Sequence, residues 1–162
     1  MSQGVEWALH CTVTLAGQPE GATLLGRDLA LYHGVSEAYL LKHLQALVRA
    51  GLLESLPGRS GGYRLARPAA DISVLDVVTA IEGVGPSFRC SEIRRRQPGA
   101  TTEPAAYRRP CPINATMLAA ESAWRDVLGG RTIADLLLEI HRRADFDSLV
   151  RGADWLSTRT RN

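Results

Sequence analysis

Residues 33–55 read HGVSEAYLLKHLQALVRAGLLES, and this stretch decides the fold of the chain. Its early Gly is followed by Ser36, a residue type that caps helices, and then by leucines at helical spacing. The segment before it, residues 22–32, predicts a shorter helix. Two helices joined by a tight Gly turn form either a helix-turn-helix, whose second helix enters the major groove of DNA, or a plain hairpin in a helical bundle.

The residues after the second helix favour the helix-turn-helix. Two strand-like runs, residues 52–56 and 63–66, are separated by PGRSGG, whose Pro and Gly residues suit a turn. A β-hairpin in this position is the wing of a winged helix-turn-helix. Its tip carries Arg59, which can contact a phosphate or the minor groove, or can be an ordinary solvated loop charge. The residues predicted to face DNA are Ser36, Glu37, Tyr39, Lys42, His43 and Arg59.

Further helical patterns lie on both sides of the winged unit, so the predicted fold is mainly α with a small β wing. A long amphipathic helix begins near residue 113, and its apolar stripe needs a surface to cover it. We expect a second subunit to cover the stripe, which makes the protein a homodimer, although packing on its own domain is the alternative. The expected divisions are a DNA-binding domain (1–70), a linking helix and cysteine-bearing loop (71–112), a dimerisation helix with the helix that follows (113–145), and a C-terminal tail (146–162).

The composition restricts the class of protein. The chain has 162 residues, the size of one domain or of a small domain with an added helical element, and its 45% hydrophobic content suffices for a core. We see no apolar run of the roughly 20 residues that a membrane helix needs, and no secretory signal pattern, so we expect a cytoplasmic protein that does not bind membranes. Because the net charge is only +2, any DNA-binding surface must be a local patch.

The segment of residues 83–112 is long for a connection inside a domain, and loops of this length are usually functional or disordered. It carries two of the three cysteines, Cys90 and Cys111. An odd number of cysteines in a reducing compartment argues for metal binding or redox chemistry rather than for a disulfide framework. On the first predicted helix, Glu6 and His10 are four residues apart, so they can chelate one metal or form an ordinary surface pair.

Five features of the chain together resemble a known family. They are a first helix with an acidic residue near the N-terminus, the recognition segment, the GRSGGYRLARP wing at residues 58–68, the LDVVTAIEG helix at residues 75–83, and the cysteine-bearing loop before a long helix. The chain resembles the winged-helix iron-sulfur regulators that include IscR and NsrR, in the same order of elements over about residues 2–140. The resemblance implies a transcription repressor, not an enzyme, that binds double-stranded operator DNA as a homodimer. Those relatives generally have three closely spaced loop cysteines, whereas this loop has two.

The motif GVEWALHC, at the start of the first helix, is similar to that of the RsrR-type members of this family. In those members, two loop cysteines of one subunit and a glutamate and histidine of the other hold a 2Fe-2S cluster. The resemblance implies that Cys90 and Cys111 supply the thiolates and that Glu6 and His10 supply the ligands from across the dimer. It also implies that Trp7 shifts with the redox state of the cluster.

This ligand set has a chemical consequence. Replacing two thiolates by an imidazole and a carboxylate makes the bound cluster less negative, which eases its one-electron reduction. We expect the redox change to alter the spacing of the two recognition helices. Two alternatives stay open. The first is a regulator that senses through zinc or through a Cys90–Cys111 thiol/disulfide switch. The second is a metal- or thiol-dependent enzyme, although the sequence shows no nucleophile-base set and no phosphate loop.

Overall fold

The computed structural model describes residues 1–58 and 61–161. The chain forms two compact units. We call Met1–Val84 with Leu128–Asn162 the winged unit, and Gly85–Val127 the loop unit. Within the described residues, no helix is both long and apolar enough to cross a membrane.

The elements of the winged unit follow the predicted order, with a further helix near the end of the chain. They are α1 (Gln3–Ala16), α2 (Gly26–His33), α3 (Glu37–Arg49), β1 (Leu53–Leu56), β2 (Gly62–Leu65), α4 (Val74–Glu82), α6 (Ile133–Arg143) and α7 (Phe146–Ser157). Most of α5 (Pro112–Gly129) belongs to the loop unit, which also contains two short 3-10 helices, Ile93–Arg96 and Pro104–Tyr107.

The leucines of the recognition segment form the centre of the core. Leu40, Leu44 and Leu47 of α3 have no exposed surface. They belong to one buried cluster with Ala8 and Cys11 of α1. Each buried leucine contributes roughly 1.5–3 kcal/mol through removal of apolar surface from water. The apolar stripe of α3 therefore sets which face of this helix points inward and which face reaches solvent.

The two strands form the predicted hairpin. They pair antiparallel, with Leu53 opposite Leu65. A backbone pair between Leu24 and Tyr63, with N–H to carbonyl distances of 3.1 and 2.8 Å, attaches the segment before α2 to the hairpin. At Gly62 the φ angle is 147° and a Cβ would lie 2.7 Å from the Leu24 carbonyl oxygen, so glycine is needed there. The mainly α fold with a small β wing is confirmed.

The prediction of a helix over residues 22–32 is wrong at its start, because α2 begins at Gly26. Thr23 and Leu24 are extended and pair with Arg161 and Tyr63. Backbone pairing over long sequence distances outweighs the helical pattern of these residues. The end of α2 agrees better with the pattern, since Gly34 ends it in the left-handed conformation at φ 64°.

Reciprocal side-chain caps begin two of the helices, α4 and α6. The Ser73 hydroxyl accepts a hydrogen bond from the Asp76 N–H at 3.0 Å, and the Asp76 carboxylate accepts one from the Ser73 N–H at 2.9 Å. Thr132 and Asp135 form the same reciprocal arrangement at the start of α6. Each such cap is worth about 1 kcal/mol. These caps set the first residues of α4 and α6.

Helix α7 lies where the sequence pattern predicts no regular element. Asp145 caps it by accepting a hydrogen bond from the Ser148 N–H at 3.0 Å, and Leu156 is buried in the core. Beyond the helix, the backbone of Arg161 pairs with Thr23 at 2.8 and 3.0 Å. The last described residues are therefore an integral part of the winged unit.

Candidate DNA interface and cofactor site

The recognition helix α3 exposes most of the residues predicted to contact DNA. Ser36 occupies the N-cap position, and Glu37 and Lys42 are exposed. Tyr39 is 67% exposed although it is aromatic. All four lie on the side of α3 opposite its buried leucines or at its start. Arg59, the predicted wing-tip contact, lies outside the described residues.

His43 has a different environment, because its ring packs against α1. A Cβ built on Gly4 would lie 2.3 Å from His43 Cε1, so the ring occupies the space above that glycine. The His43 ring also makes an edge contact with Trp7, with centroids 6.1 Å apart and planes at 80°. Because it follows the buried Leu40 by three positions, helical spacing alone places His43 beside the apolar stripe. The structure therefore places His43 between the recognition helix and α1.

Glu6 and His10 lie on the same face of α1, as their spacing predicts, and both are exposed. They line an open groove of about 530 Å³ between α1 and α6, whose other wall includes Leu136 and Ile140. Carboxylate and imidazole groups at the mouth of an open groove remain accessible to a ligand.

The neighbour of His10 is His33, at the end of α2, with ring centroids 5.6 Å apart. Burial, followed by repulsion from His10, lowers the pKa of His33 to about 4. His33 is therefore neutral at pH 7, and its Nε2 lies 3.2 Å from the Thr14 hydroxyl. This pair ties α1 to α2 next to the face that carries Glu6 and His10.

Backbone N–H groups point at both loop cysteines of the loop unit. The Glu92 N–H donates to Cys90 Sγ at 3.4 Å, and the Asn114 N–H donates to Cys111 Sγ at 3.3 Å. The Cys111 carbonyl accepts from the Ala115 N–H at 2.9 Å, so Cys111 occupies the N-cap position of α5. The Asn114 N–H in the first turn of α5 therefore points at this sulfur.

Arg94 links the two arms of the loop that carry the cysteines. Its guanidinium donates to the Glu92 carboxylate at 2.8 Å and to the Arg109 carbonyl at 3.2 Å. The pKa of Arg94 is raised, first by the hydrogen bond to Glu92, then by the charge of Glu92, and last by the charges of Cys111 and Cys90. One cation is thus placed to offset negative charge on both sulfurs.

A buried acidic residue anchors the start of this loop. Glu121 of α5 is 7% exposed and accepts hydrogen bonds from the Ser87 N–H and from Arg125 Nε, both at 3.0 Å. The Arg125 guanidinium also donates to the Gly85 carbonyl at 3.4 Å. Sequence reasoning missed this anchor, because an acidic residue followed four positions later by an arginine usually forms an exposed pair on a helix.

Residues 1–139 match the model of the Rrf2 family, described as an iron-dependent transcriptional regulator. The chain belongs to the Rrf2 family. Protein aau3 of Rhizobium meliloti (strain 1021) is 41% identical over 110 residues, which are 68% of this chain and 67% of that protein. The resemblance of the motifs to winged-helix regulators is thereby confirmed at the level of the family, whose members are transcription regulators and not enzymes.

Solved structures support the same fold for this Rrf2 protein. T. potens IscR superposes with a TM-score of 0.68 at 23% identity, over 90% of this chain and 91% of that chain, which supports the fold alone. The oxidised form of Staphylococcus aureus CymR superposes with a TM-score of 0.62 at 26% identity, over 84% and 94% of the two chains.

The predicted cofactor residues of this Rrf2 protein form two pairs. Glu6 and His10 lie on α1 of the winged unit, and Cys90 and Cys111 lie in the loop unit. Within residues 1–58 and 61–161, no group of three or more His, Cys, Asp or Glu side chains is gathered so that it can hold a metal ion. Each pair offers two ligands.

Because the His43 ring packs on Gly4, the effect of a Gly4 substitution on stability should depend on whether His43 is present. Gly4→Ala should lower the free energy of unfolding by about 1 to 3 kcal/mol, because the added methyl collides with the His43 ring. In a His43→Ala background the same substitution should raise it by up to about 1 kcal/mol, through the higher helix propensity of alanine. Urea unfolding of the four proteins measures both effects. Equal effects in the two backgrounds would show that the ring does not pack on Gly4.

The three cysteines should differ sharply in reactivity towards iodoacetamide. Cys11 is fully buried, and burial raises the pKa of its thiol to about 12, whereas Cys90 is exposed and Cys111 is partly exposed. We expect alkylation of cluster-free native protein at Cys90 and Cys111 but not at Cys11, and alkylation of all three in urea. Peptide mapping by mass spectrometry measures each site. Fast labelling of native Cys11 would contradict its placement in the core.

Proposed function

We propose that this Rrf2 protein is a redox-sensing transcription repressor of the RsrR type, and that its homodimer binds a 2Fe-2S cluster at each of two symmetric sites. One subunit would supply Cys90 and Cys111 to each site, and the other subunit would supply Glu6 and His10. The observation that carries the proposal is the division of the ligands into two accessible pairs on separate units. Four ligands are what an iron-sulfur cluster normally needs.

The donor chemistry of both pairs suits a 2Fe-2S cluster. Hydrogen bonds from the N–H groups of Glu92 and Asn114 to the two sulfurs stabilise bound thiolates. Arg94, which is held by Glu92 and by the Arg109 carbonyl, would offset negative charge at the loaded site, and the open groove at Glu6 and His10 would admit a group from outside the chain. When bound, the cluster would supply reversible one-electron chemistry.

The surface of α5 supports the proposal of a homodimer. Its residues Ile113, Met117 and Val127, which helical spacing places on one side, are between 41% and 67% exposed, so this apolar side of the helix is available to a partner. Contiguous exposed apolar residues on a helix mark an interaction surface. We propose that a second copy covers this side, and that the dimer presents two recognition helices to successive half-sites of double-stranded operator DNA.

Contacts within the winged unit can carry a change at the ligands to the recognition helix. Trp7 lies between Glu6 and His10 along α1, and its ring contacts His43 of α3. A shift of Trp7 would therefore change the packing of α1 on α3. We propose that this contact, together with Gly4 beneath His43, couples the site to the exposed DNA-facing residues of α3.

The proposal is tested by the visible absorption spectrum and iron content of protein purified without oxygen. We expect a coloured protein with two iron atoms per chain, whose spectrum bleaches reversibly on reduction. Zinc and thiol forms are colourless in the visible range. The control is Cys11→Ser, which removes a cysteine from the core and should retain the colour. A colourless protein that carries zinc, or no metal, would refute the 2Fe-2S assignment.

A thiol switch is the second candidate, and one observation favours it. Cys90 is exposed and Cys111 partly exposed, both are free thiols, and Arg94 donates hydrogen bonds to Glu92 and to the Arg109 carbonyl, two positions from each cysteine. The structural similarity to an oxidised form of CymR also favours the thiol-switch hypothesis. A metal-free protein that forms a Cys90–Cys111 disulfide with peroxide, and whose DNA affinity then changes, would establish this candidate in place of the cluster.

Either sensor requires a reducing compartment, and we propose a cytoplasmic location.

A further inference from the structure

The residues after α7 build an arginine-rich hollow against the start of α2. The hollow has a volume of about 430 Å³ and lies within the winged unit. Its lining is polar and includes three guanidinium groups and one carboxylate, so it is a local positive patch on a chain whose net charge is only +2. The lining residues are Arg27, Asp28, Thr158, Arg159, Thr160 and Arg161.

Backbone pairing fixes this hollow beside the extended segment that leads into α2. The Thr23 N–H donates to the Arg161 carbonyl at 2.8 Å, and the Arg161 N–H donates back at 3.0 Å. The next residue, Leu24, pairs in the same way with Tyr63 of β2. The last described residues thus lie alongside the extended segment that the wing also pairs with, and this segment leads directly into α2.

The arginines are held in different ways. The Arg159 guanidinium lies 3.7 Å from the centroid of the Trp155 ring and donates to the Trp155 carbonyl at 3.1 Å and to the Thr158 hydroxyl at 2.8 Å. The Arg27 side chain is 65% exposed, and its distance of 3.9 Å to Asp28 is long for an ion pair. Arg159 is therefore pre-oriented, whereas Arg27 is available to an outside anion.

We propose that these arginines bind phosphate groups of the DNA backbone next to the helix-turn-helix. In this motif the second helix lies in the major groove while the first helix crosses the backbone, and Arg27 is the second residue of that first helix. Guanidinium groups are well suited to phosphate oxygens because their donors form a planar fork. The C-terminal residues thus extend the DNA interface beyond α3 and the wing. The inference rests on the DNA binding of the Rrf2 family and not on the cluster.

The test is the salt dependence of binding to a fluorescent 30-base-pair DNA duplex of arbitrary sequence, followed by anisotropy. Arg27→Gln and Arg159→Gln should each weaken binding about three- to tenfold and lower the slope of log affinity against log salt by about 0.9, the value for one lost phosphate contact. The matched control is Arg151→Gln, which removes the same charge from an exposed position of α7 outside the hollow. It should leave the slope unchanged.

Two further measurements separate the loss of a phosphate contact from a general loss of stability. Because Arg159 stacks on Trp155, thermal unfolding of each variant is measured, and Arg159→Lys, which keeps the charge, should retain the wild-type slope. Slopes of Arg27→Gln and Arg159→Gln equal to that of Arg151→Gln would overturn the inference. The result is independent of the proposed cofactor, since the same slopes are expected for protein with and without a cluster. A wild-type protein that binds no duplex would overturn DNA binding itself.

Discussion

A mixed dimer of two variants that each fail to bind a cluster is expected to regain one cluster. One chain carries Glu6→Ala and His10→Ala, and the other carries Cys90→Ser and Cys111→Ser. Each homodimer lacks half of the ligands at both sites and should contain no cluster. In the mixed dimer, ligation across the interface joins the intact cysteines of one chain to the intact Glu6 and His10 of the other. One site is then complete and the second has no ligands.

Co-expression with two different affinity tags and purification over both resins isolates the mixed dimer. The expected iron content and visible absorbance are half of the wild-type values per dimer. A control mixture of differently tagged wild-type chains, purified in the same way, should give full values. If all ligands came from one subunit, neither site of the mixed dimer would be complete, and the protein would be colourless. That result would refute ligation across the dimer.

The winged unit was largely predictable because local signals and tertiary contacts agree there. The leucines of α3 recur at helical spacing, and the structure buries all three of those discussed above. Ser73 and Thr132 are good capping residues followed three positions later by an aspartate, so the starts of α4 and α6 were evident from the sequence. In the wing, Pro and Gly residues separate two apolar runs. These residue types favour turn conformations, so the hairpin was predictable from the sequence.

The predictions from the sequence are wrong where pairing between distant residues decides the backbone conformation. Residues 22–25 have helical character in the sequence, but the partners of Thr23 and Leu24 are Arg161 and Tyr63, far along the chain. No local pattern shows such pairing. Helix α7 has an aspartate cap and the buried Leu156, yet its exposed Phe146 and Val150 obscure the apolar stripe.

For the candidate cofactor site, only the residue types and their spacing were predictable from the sequence. The four-residue spacing of Glu6 and His10 correctly places both on one exposed face of α1. The environments of the cysteines were not predictable, because Cys111 becomes an N-cap through backbone geometry and Arg94 reaches both arms of the loop. If the ligands join across a dimer, no pattern within one chain can bring them together, and the mixed dimer is the direct measurement.

The second large effect is expected at Trp7, which follows the proposed ligand Glu6 on α1 and whose ring contacts His43 of the recognition helix. Allosteric coupling of 1–3 kcal/mol corresponds to a change of about 5- to 150-fold in affinity. We expect a difference of this size between oxidised and reduced wild-type protein on a promoter fragment that it retards. In Trp7→Ala the difference should fall to about twofold, because the edge contact with His43 is lost. Anaerobic gel retardation in both redox states measures the ratio.

The iron content and absorbance of Trp7→Ala are measured alongside its affinity for DNA, because only a variant that still binds a cluster tests the coupling. Trp7→Phe keeps an aromatic ring opposite His43 and should retain much of the wild-type ratio. His43→Ala removes the other side of the same contact, so it should reduce the ratio as Trp7→Ala does. A loaded Trp7→Ala protein with the wild-type ratio would show that the signal reaches α3 by another route. The His10–His33 contact between α1 and α2 would then be the next contact to test.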